Sequence, residues 1–173
     1  HHTMQHIKTA SKTSSTGEQD VRETVQSMPD QIEKGGEDVC RSYAEKLDKY
    51  TGEIVVNADE RAASHAKVNQ RLKDDIRFAR DNVRRFAEAQ FATIGNTQME
   101  VIPGLIAGQR QIPVSAAGCY APGGRYSHVA SAIMTVTTAK VAGVKHISAC
   151  SPTRPGEGMH PAVLYALDVC GAD

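Results

Sequence analysis

The stretch Ala116-Ala-Gly-Cys-Tyr-Ala-Pro-Gly-Gly-Arg-Tyr-Ser-His128, with Lys145-His-Ile-Ser-Ala-Cys-Ser151 and Pro161-Ala-Val-Leu-Tyr-Ala-Leu-Asp-Val-Cys-Gly171 behind it, decides the fold. Ala116–Ala121 is a small apolar strand and Pro122-Gly123-Gly124 a turn. Ser127 is placed to cap a helix running to about Val141, which Gly143 ends. Lys145–Ser151 is a second strand, Ser151–Gly158 a loop, and Pro161 opens a helix that stops at Gly171. This is a βαβα run, so the two strands should be parallel and joined by a right-handed crossover. Parallel strands are normally covered on both faces and belong to sheets of several strands. Two are too few, and the chain stops where the next strand is due. The expected class is therefore α/β: an N-terminal helical segment followed by the first βαβα part of an incomplete Rossmann-like parallel sheet. A small α+β protein that completes its sheet through a partner is the alternative.

Working outward, Met99–Val114 reads as two short strands joined at the turn-forming pair Pro103-Gly104. Upstream, Leu72, Ile76, Ala79, Val83 and Phe86 alternate spacings of four and three, which predicts a helix over 70–91. Arg77, Arg80, Arg84 and Arg85 interleave with Asp74, Asp75, Asp81 and Glu88 at helical pairing distances, a solvated salt-bridged face rather than a basic patch. Asn57 followed by Glu60 is a capping-box pattern for a helix to about Val68, and Gly52–Val56 before it is short and extended. Val21, Val25, Met28 and Ile32 share one helical face, with a break expected near Met28 because Pro29 interrupts the run. Gly35-Gly36 then stops that helix, and Val39, Tyr43 and Leu47 mark another ending near Tyr50. The domains expected are a flexible 1–17, a helical region 18–97, and a hairpin plus partial nucleotide-binding domain 98–173. His1-His2-Thr3 ahead of Met4 reads as a tag remnant or a sequencing boundary.

The 173 residues amount to about one domain. Lys plus Arg and Asp plus Glu are 20 each, giving zero net charge. A nucleic-acid binder needs a basic surplus to displace counterions from phosphates, so that class is set aside. No apolar run approaches the roughly 18 residues that cross a bilayer, which sets membrane partners aside and makes the cytoplasm the expected location. Most of the charge lies before residue 101, whereas all but one of the 7 prolines and most of the 14 glycines follow it. The first part should be solvent-facing helices and the second a segment buried on more than one side. Cys40, Cys119, Cys150 and Cys170 form no CxxC pair, so reduced, mostly buried thiols are expected rather than a disulfide or zinc framework.

Ligands of open α/β sheets bind beyond the carboxyl ends of the strands, here at Cys119 to His128. Glycines there let backbone N–H groups approach an anion, and the next helix contributes its positive end. Tyr120 is placed to pack on a cofactor, with Pro122 and Gly123 beside it. Arg125 and His128 are placed to clamp an anionic substrate. A tight turn with exposed polar residues fits the same pattern. Cys119 and Cys150 sit at corresponding strand ends, as a thiol nucleophile would, although no histidine is placed by sequence to activate them. Ser151 and Arg154 lie in the loop after the second strand, where they could face a nucleotide. His146 reads as packing or surface, and His1, His2 and His6 make an improbable metal site on a terminus.

Gly118-Cys-Tyr-Ala-Pro-Gly-Gly124, Ala139-Lys-Val-Ala-Gly143 and Cys150-Ser-Pro152 together resemble the histidinol dehydrogenase family. Asp81-Asn-Val-Arg-Arg-Phe86 and Gln109–Val114 follow the same order, so the resemblance runs from about Val21 onward. It implies a zinc- and NAD-dependent homodimer that oxidises an alcohol through an aldehyde to a carboxylate using two NAD. It also implies that Tyr120 contacts NAD. The family's zinc ligands and Glu-His acid/base pair fall beyond residue 173, so no catalytic or metal-ligating residue is expected in this chain, which by itself should not turn over. Arg125-Tyr126-Ser127-His128 departs from the small, proline-containing stretch of the histidine-biosynthetic members. It resembles the sulfopropanediol dehydrogenase branch, implying oxidation of 2,3-dihydroxypropane-1-sulfonate to sulfolactate with His128 and Arg125 on the sulfonate. L-Histidinol as substrate, or a non-catalytic binding or dimerisation module, are the alternatives.

Overall fold

The computed structural model of the protein describes residues 15–123, 127–153 and 157–173. The chain divides into two compact units, one through Leu47 and one from Asp48 to Asp173. The division falls well before the change in composition near residue 97. The reason is packing: the charge-rich helices of the second unit lie against the Gly/Pro-rich part and share its core.

The first unit contains helix α1, Ser15–Tyr43, and most of a π-helical turn, Ala44–Asp48. The expected break near Met28 is absent, because α1 continues through Pro29. An interior proline costs one backbone hydrogen bond, and a long helix can absorb that loss. The interruption expected at Gly35-Gly36 is present at Gly36, whose φ of 64° and ψ of −146° are open to a residue without Cβ.

The second unit starts irregularly, since Gly52–Val56 forms bends rather than a strand. Helix α2, Ala58–Lys67, carries the predicted capping box: Asn57 Oδ1 accepts from the Glu60 N–H at 2.9 Å, and Glu60 Oε2 accepts from the Asn57 N–H at 2.9 Å. Helix α3, Gln70–Ala92, is capped by Asn69, whose side chain accepts from the Leu72 N–H. Strands β1, Thr97–Ile102, and β2, Leu105–Gln109, form an antiparallel hairpin whose residues are all exposed. Gly104, at φ 84°, makes its turn.

Strands β3, Ala116–Tyr120, and β4, His146–Cys150, pair in parallel, with Ala117 opposite Ile147, Gly118 opposite Ser148, and Tyr120 opposite Cys150. Helix α4, Val129–Val141, connects them, and α5, Pro161–Cys170, follows. Side chains alternate along each strand. Cys119 and Ile147 are buried in the core with Ala132, Ile133 and Val136 of α4 and Val163, Ala166 and Leu167 of α5. Gly118, Tyr120, His146, Ser148 and Cys150, on the other face, are exposed. The expectation of burial on more than one side therefore holds for one face only in the described chain. After α5, whose left-handed cap Gly171 has φ 99°, Asp173 returns to the edge of β4 and its N–H donates to the Ile147 carbonyl at 2.9 Å.

Polar contacts fasten α2 and α3 to α5. Arg61 Nη1 donates to Asp168 Oδ1 at 3.1 Å, and Arg77 Nη1 donates to the otherwise buried Tyr165 hydroxyl at 2.9 Å. His65 stands edge-on to the Tyr165 ring, and its Nε2 lies 3.0 Å from Asp168 Oδ2, off the hydrogen-bond line. Arg80 Nη1 donates to the Val169 carbonyl. Buried polar groups need such partners, and the contacts fix how the helices cover the sheet.

No disulfide joins the cysteines: Cys119 and Cys170 are buried, Cys40 is half-buried and Cys150 exposed. Burial pushes the Cys170 thiol above its usual range. No helix among the described residues is long and apolar enough to cross a membrane.

Candidate functional site

Tyr120 is the last residue of β3 and Cys150 the last of β4, side by side at the carboxyl end of the parallel pair. The ladder runs one step further, where the Ala121 N–H donates to the Cys150 carbonyl at 2.9 Å. Ala121 is fully buried, and Pro122 and Gly123 are half-buried. Tyr120 projects from the uncovered face and is 57% exposed, so its ring is accessible to a ligand.

Gly123 is required by a close approach. A Cβ there would sit 3.2 Å from Pro152 Cδ and 3.3 Å from both Pro152 Cβ and the Pro152 carbonyl oxygen. The segments that leave the two strands therefore touch at Gly123 and Pro152. A proline ring and a backbone oxygen cannot swing aside as a flexible side chain would.

Both helices that follow the strands direct their N-termini to this end. The expectation that Ser127 caps α4 is not met. His128 occupies the N-cap position, with φ −93° and ψ 65°, and among the described residues no side chain caps the helix. Its carbonyl accepts from the Ser131 N–H at 3.1 Å, while its imidazole and Ser127 are exposed. A first turn without a side-chain acceptor leaves N–H groups and the positive end of the dipole for an anion. At α5 the His160 side chain accepts from the Ala162 N–H at 3.3 Å, and Pro161 supplies the pre-set first position.

The two strand-end cysteines are not equivalent. Cys119 pairs with Ala149, not with Cys150, and is buried towards the helices; Cys150 is on the opposite, exposed face. Cys119 is thus closed to a substrate, and the two cysteines are offset by one step of register rather than at corresponding positions. Tyr120, Pro122, Gly123 and His128 fall at one end of the sheet, as does Ser151, which is half-buried. Arg125 and Arg154, together with His1, His2 and His6, lie outside the described residues. Among the described residues no group of three or more His, Cys, Asp or Glu side chains could hold a metal ion.

The residue missed most plainly is Asp173. Its Oδ2 accepts from the Ile147 N–H at 2.7 Å and lies 3.2 Å from His146 Nδ1. The Ile147 N–H, helped by Lys140 and His146, holds its carboxyl below the usual carboxylate range. A depressed folded pKa contributes stability that is present above the unfolded value, about 4, and lost as pH falls through the folded one. Urea titrations should therefore show Asp173→Asn less stable than the parent at pH 6, with the gap closing below about pH 4. A gap independent of pH would contradict this.

The geometry has close counterparts. The family model for histidinol dehydrogenase matches residues 11–173. The chain is 59% identical over 171 residues to a sulfopropanediol 3-dehydrogenase from Ruegeria pomeroyi, a match covering 99% of this chain and 39% of that protein. It is 36% identical over 159 residues to a histidinol dehydrogenase from Methanosarcina barkeri, covering 91% of this chain and 36% of that one. A crystal structure of histidinol dehydrogenase from Elizabethkingia anophelis superposes with a TM-score of 0.82 at 25% identity, over 95% of this chain and 37% of that chain. The chain thus spans about two fifths of the length of these relatives. A match along nearly all of the sequence, joined to the same fold, leaves one assignment: the chain belongs to the histidinol dehydrogenase family.

Proposed function

We propose that the chain is the N-terminal part of an NAD- and zinc-dependent dehydrogenase that oxidises 2,3-dihydroxypropane-1-sulfonate through the aldehyde to sulfolactate, acting as a homodimer. The observation that carries the substrate reading is the 59% identity to a sulfopropanediol 3-dehydrogenase, against 36% to a histidinol dehydrogenase. NAD, when bound, accepts hydride from the alcohol carbon.

The residues at the strand ends suit that cofactor. Gly123 lets the segment after β3 pass close to Pro152, keeping its main chain at the strand ends where a pyrophosphate would lie. The N-terminus of α4, without a side-chain cap, offers N–H donors and a positive dipole end to the same group. The exposed Tyr120 ring is a surface for the nucleotide to pack on. The described side chains do not supply a zinc centre, and no step is assigned to that metal.

His128, at the head of α4, donates an N–H to a sulfonate oxygen, with Arg125 as its neighbour in sequence. Because His128 makes no capping bond, alanine there should leave α4 intact. In the full-length enzyme His128→Ala is expected to raise KM for the sulfonate roughly tenfold to hundredfold, the range for a lost hydrogen bond to a charged group, with kcat little changed. NAD reduction measured with the sulfonate and with L-histidinol in parallel is the assay. An unchanged KM removes His128 from the site, and faster turnover of histidinol overturns the substrate.

A further inference from the structure

The parallel ladder of β3 and β4 stops at a defined place. In such a ladder a β3 residue donates to the carbonyl one position before its opposite number and accepts from the N–H one position after it. The His146 N–H accordingly donates to the Ser115 carbonyl at 3.3 Å, and at the far end the Ala121 N–H donates to the Cys150 carbonyl at 2.9 Å. One step beyond Tyr120 and Cys150, residue 121 faces 151, so its carbonyl is due to accept from position 152. Position 152 is proline, which has no N–H to give. Ala121 is fully buried, and among the described residues no donor reaches its carbonyl. Buried acceptors are normally satisfied, so a chain serving stability alone would carry a donor here.

Past the missing rung the two segments meet by van der Waals contact instead. An added Cβ on Gly123 would lie 3.2 Å from Pro152 Cδ and 3.3 Å from its Cβ and its carbonyl oxygen. The ring thus props the turn against the segment after β4. Both residues are half-buried, and their contact is made inside the Asp48–Asp173 unit. A ladder carried further would engage the Gly123 N–H with the carbonyl at 152. With the rung at 152 absent, that N–H donates to no acceptor among the described residues. It is left for a ligand at the strand ends.

We propose that Pro152 is a positioning residue for the nucleotide. It ends the ladder before Gly123, holds the turn at contact distance with its ring, and so keeps the Gly123 N–H free for a pyrophosphate oxygen. This role rests on the reading of the strand ends as the NAD site. Alanine at 152 reverses both actions. It supplies the N–H that extends the ladder towards Gly123, and it removes the ring carbons Cγ and Cδ that prop the turn. The Gly123 donor is then drawn into the sheet and lost to the nucleotide.

Calorimetric titration of the full-length enzyme with NAD tests this, using Gly123→Ala, Pro152→Ala and the double variant. Pro152→Ala should raise Kd roughly tenfold or more, the scale of one hydrogen bond to a charged group. Gly123→Ala should raise it too, and the two effects should not add. With Cδ gone, the extra methyl at 123 should cost at least about threefold less than it does in the parent, because residues in contact couple. A proline that only stiffens its loop would alter Tm and leave the two effects on Kd independent. Thermal melts without NAD identify the folded variants, and Pro152→Ser, with the same gained N–H and lost ring, replaces the alanine variant if that one does not fold. A parent-like Kd in Pro152→Ala, or additive effects in the double variant, would overturn the proposal while weaker binding by Gly123→Ala keeps the strand-end site. A parent-like Kd in all three variants would overturn the site as well.

Discussion

Ile147→Ala is expected to destabilise the Asp48–Asp173 unit by about 2–5 kcal/mol, the range for truncating a large aliphatic side chain in a core that closes only partly on the gap. Ile147 is fully buried and heads the fully buried side chains by volume, between β3 and the helices. It shares one core cluster with Val136 of α4 and with Val163 and Ala166 of α5, and Arg61 and Arg80 hold α5 in place through Asp168 and the Val169 carbonyl, so collapse onto the cavity is restricted. Its main chain is also the attachment point of Asp173. Against a total stability of about 5–15 kcal/mol the loss is large. The neighbouring Ser148→Ala, on the exposed face, should shift stability by less than about 0.5 kcal/mol. Urea melts of the two variants make the comparison. A loss at position 147 below about 1 kcal/mol would mean that β4 does not carry the core.

Much of this arrangement is legible in the residues because its signals are local. Asn57 and Glu60 reveal a cap from three-residue spacing alone, and Gly143 and Gly171 end helices because both take positive φ. The Gly/Pro punctuation of 116–171 separates strand from helix, and the parallel pairing follows from the order of elements. Other signals mislead because tertiary contacts decide them. The Leu72 to Phe86 period identifies α3, and Ile76, Ala79 and Val83 pack on the core as it implies, whereas Phe86 is 67% exposed and Ala87 beside it is buried. Pro29 suggests a break that α1 does not make, whereas the stop expected at Gly35-Gly36 is found at Gly36, where a glycine tolerates the torsion required.

At the site the same division applies. The glycine turn and the following helix are written in consecutive residues, so Tyr120, Pro122, Gly123 and His128 can be read together. That His128 rather than Ser127 holds the N-cap depends on where the first turn closes, which spacing does not encode. The contacts of Asp173 with His146 and Ile147 join residues on either side of α5, and no window of sequence contains them. Cys119 and Cys150 do not occupy corresponding positions for a related reason: strand ends can be found by composition, but a one-residue offset in register puts the two thiols on opposite faces.

Gly123→Val should weaken NAD binding by tenfold or more in the full-length enzyme, and Gly123→Ala should fall between it and the parent. The first added carbon already comes within 3.2–3.3 Å of three Pro152 atoms, one of them a carbonyl oxygen. Alanine requires a displacement of a few tenths of an ångström, whereas the two further methyls of valine must force the segments after β3 and β4 apart. Crowding of this kind typically costs about 1–3 kcal/mol, and movement at Gly123 would also turn away the main chain that the proposed NAD site uses. Ala121 is buried and bonded to Cys150, so the displacement is taken up beyond it, on the ligand side, and the core should be little affected. Calorimetric titration with NAD, alongside thermal melts without it, separates the two effects. Lost affinity with a nearly unchanged Tm is the expected result. Full affinity in Gly123→Val would show that the nucleotide does not use this turn, and the cofactor seat would have to be sought elsewhere in the enzyme.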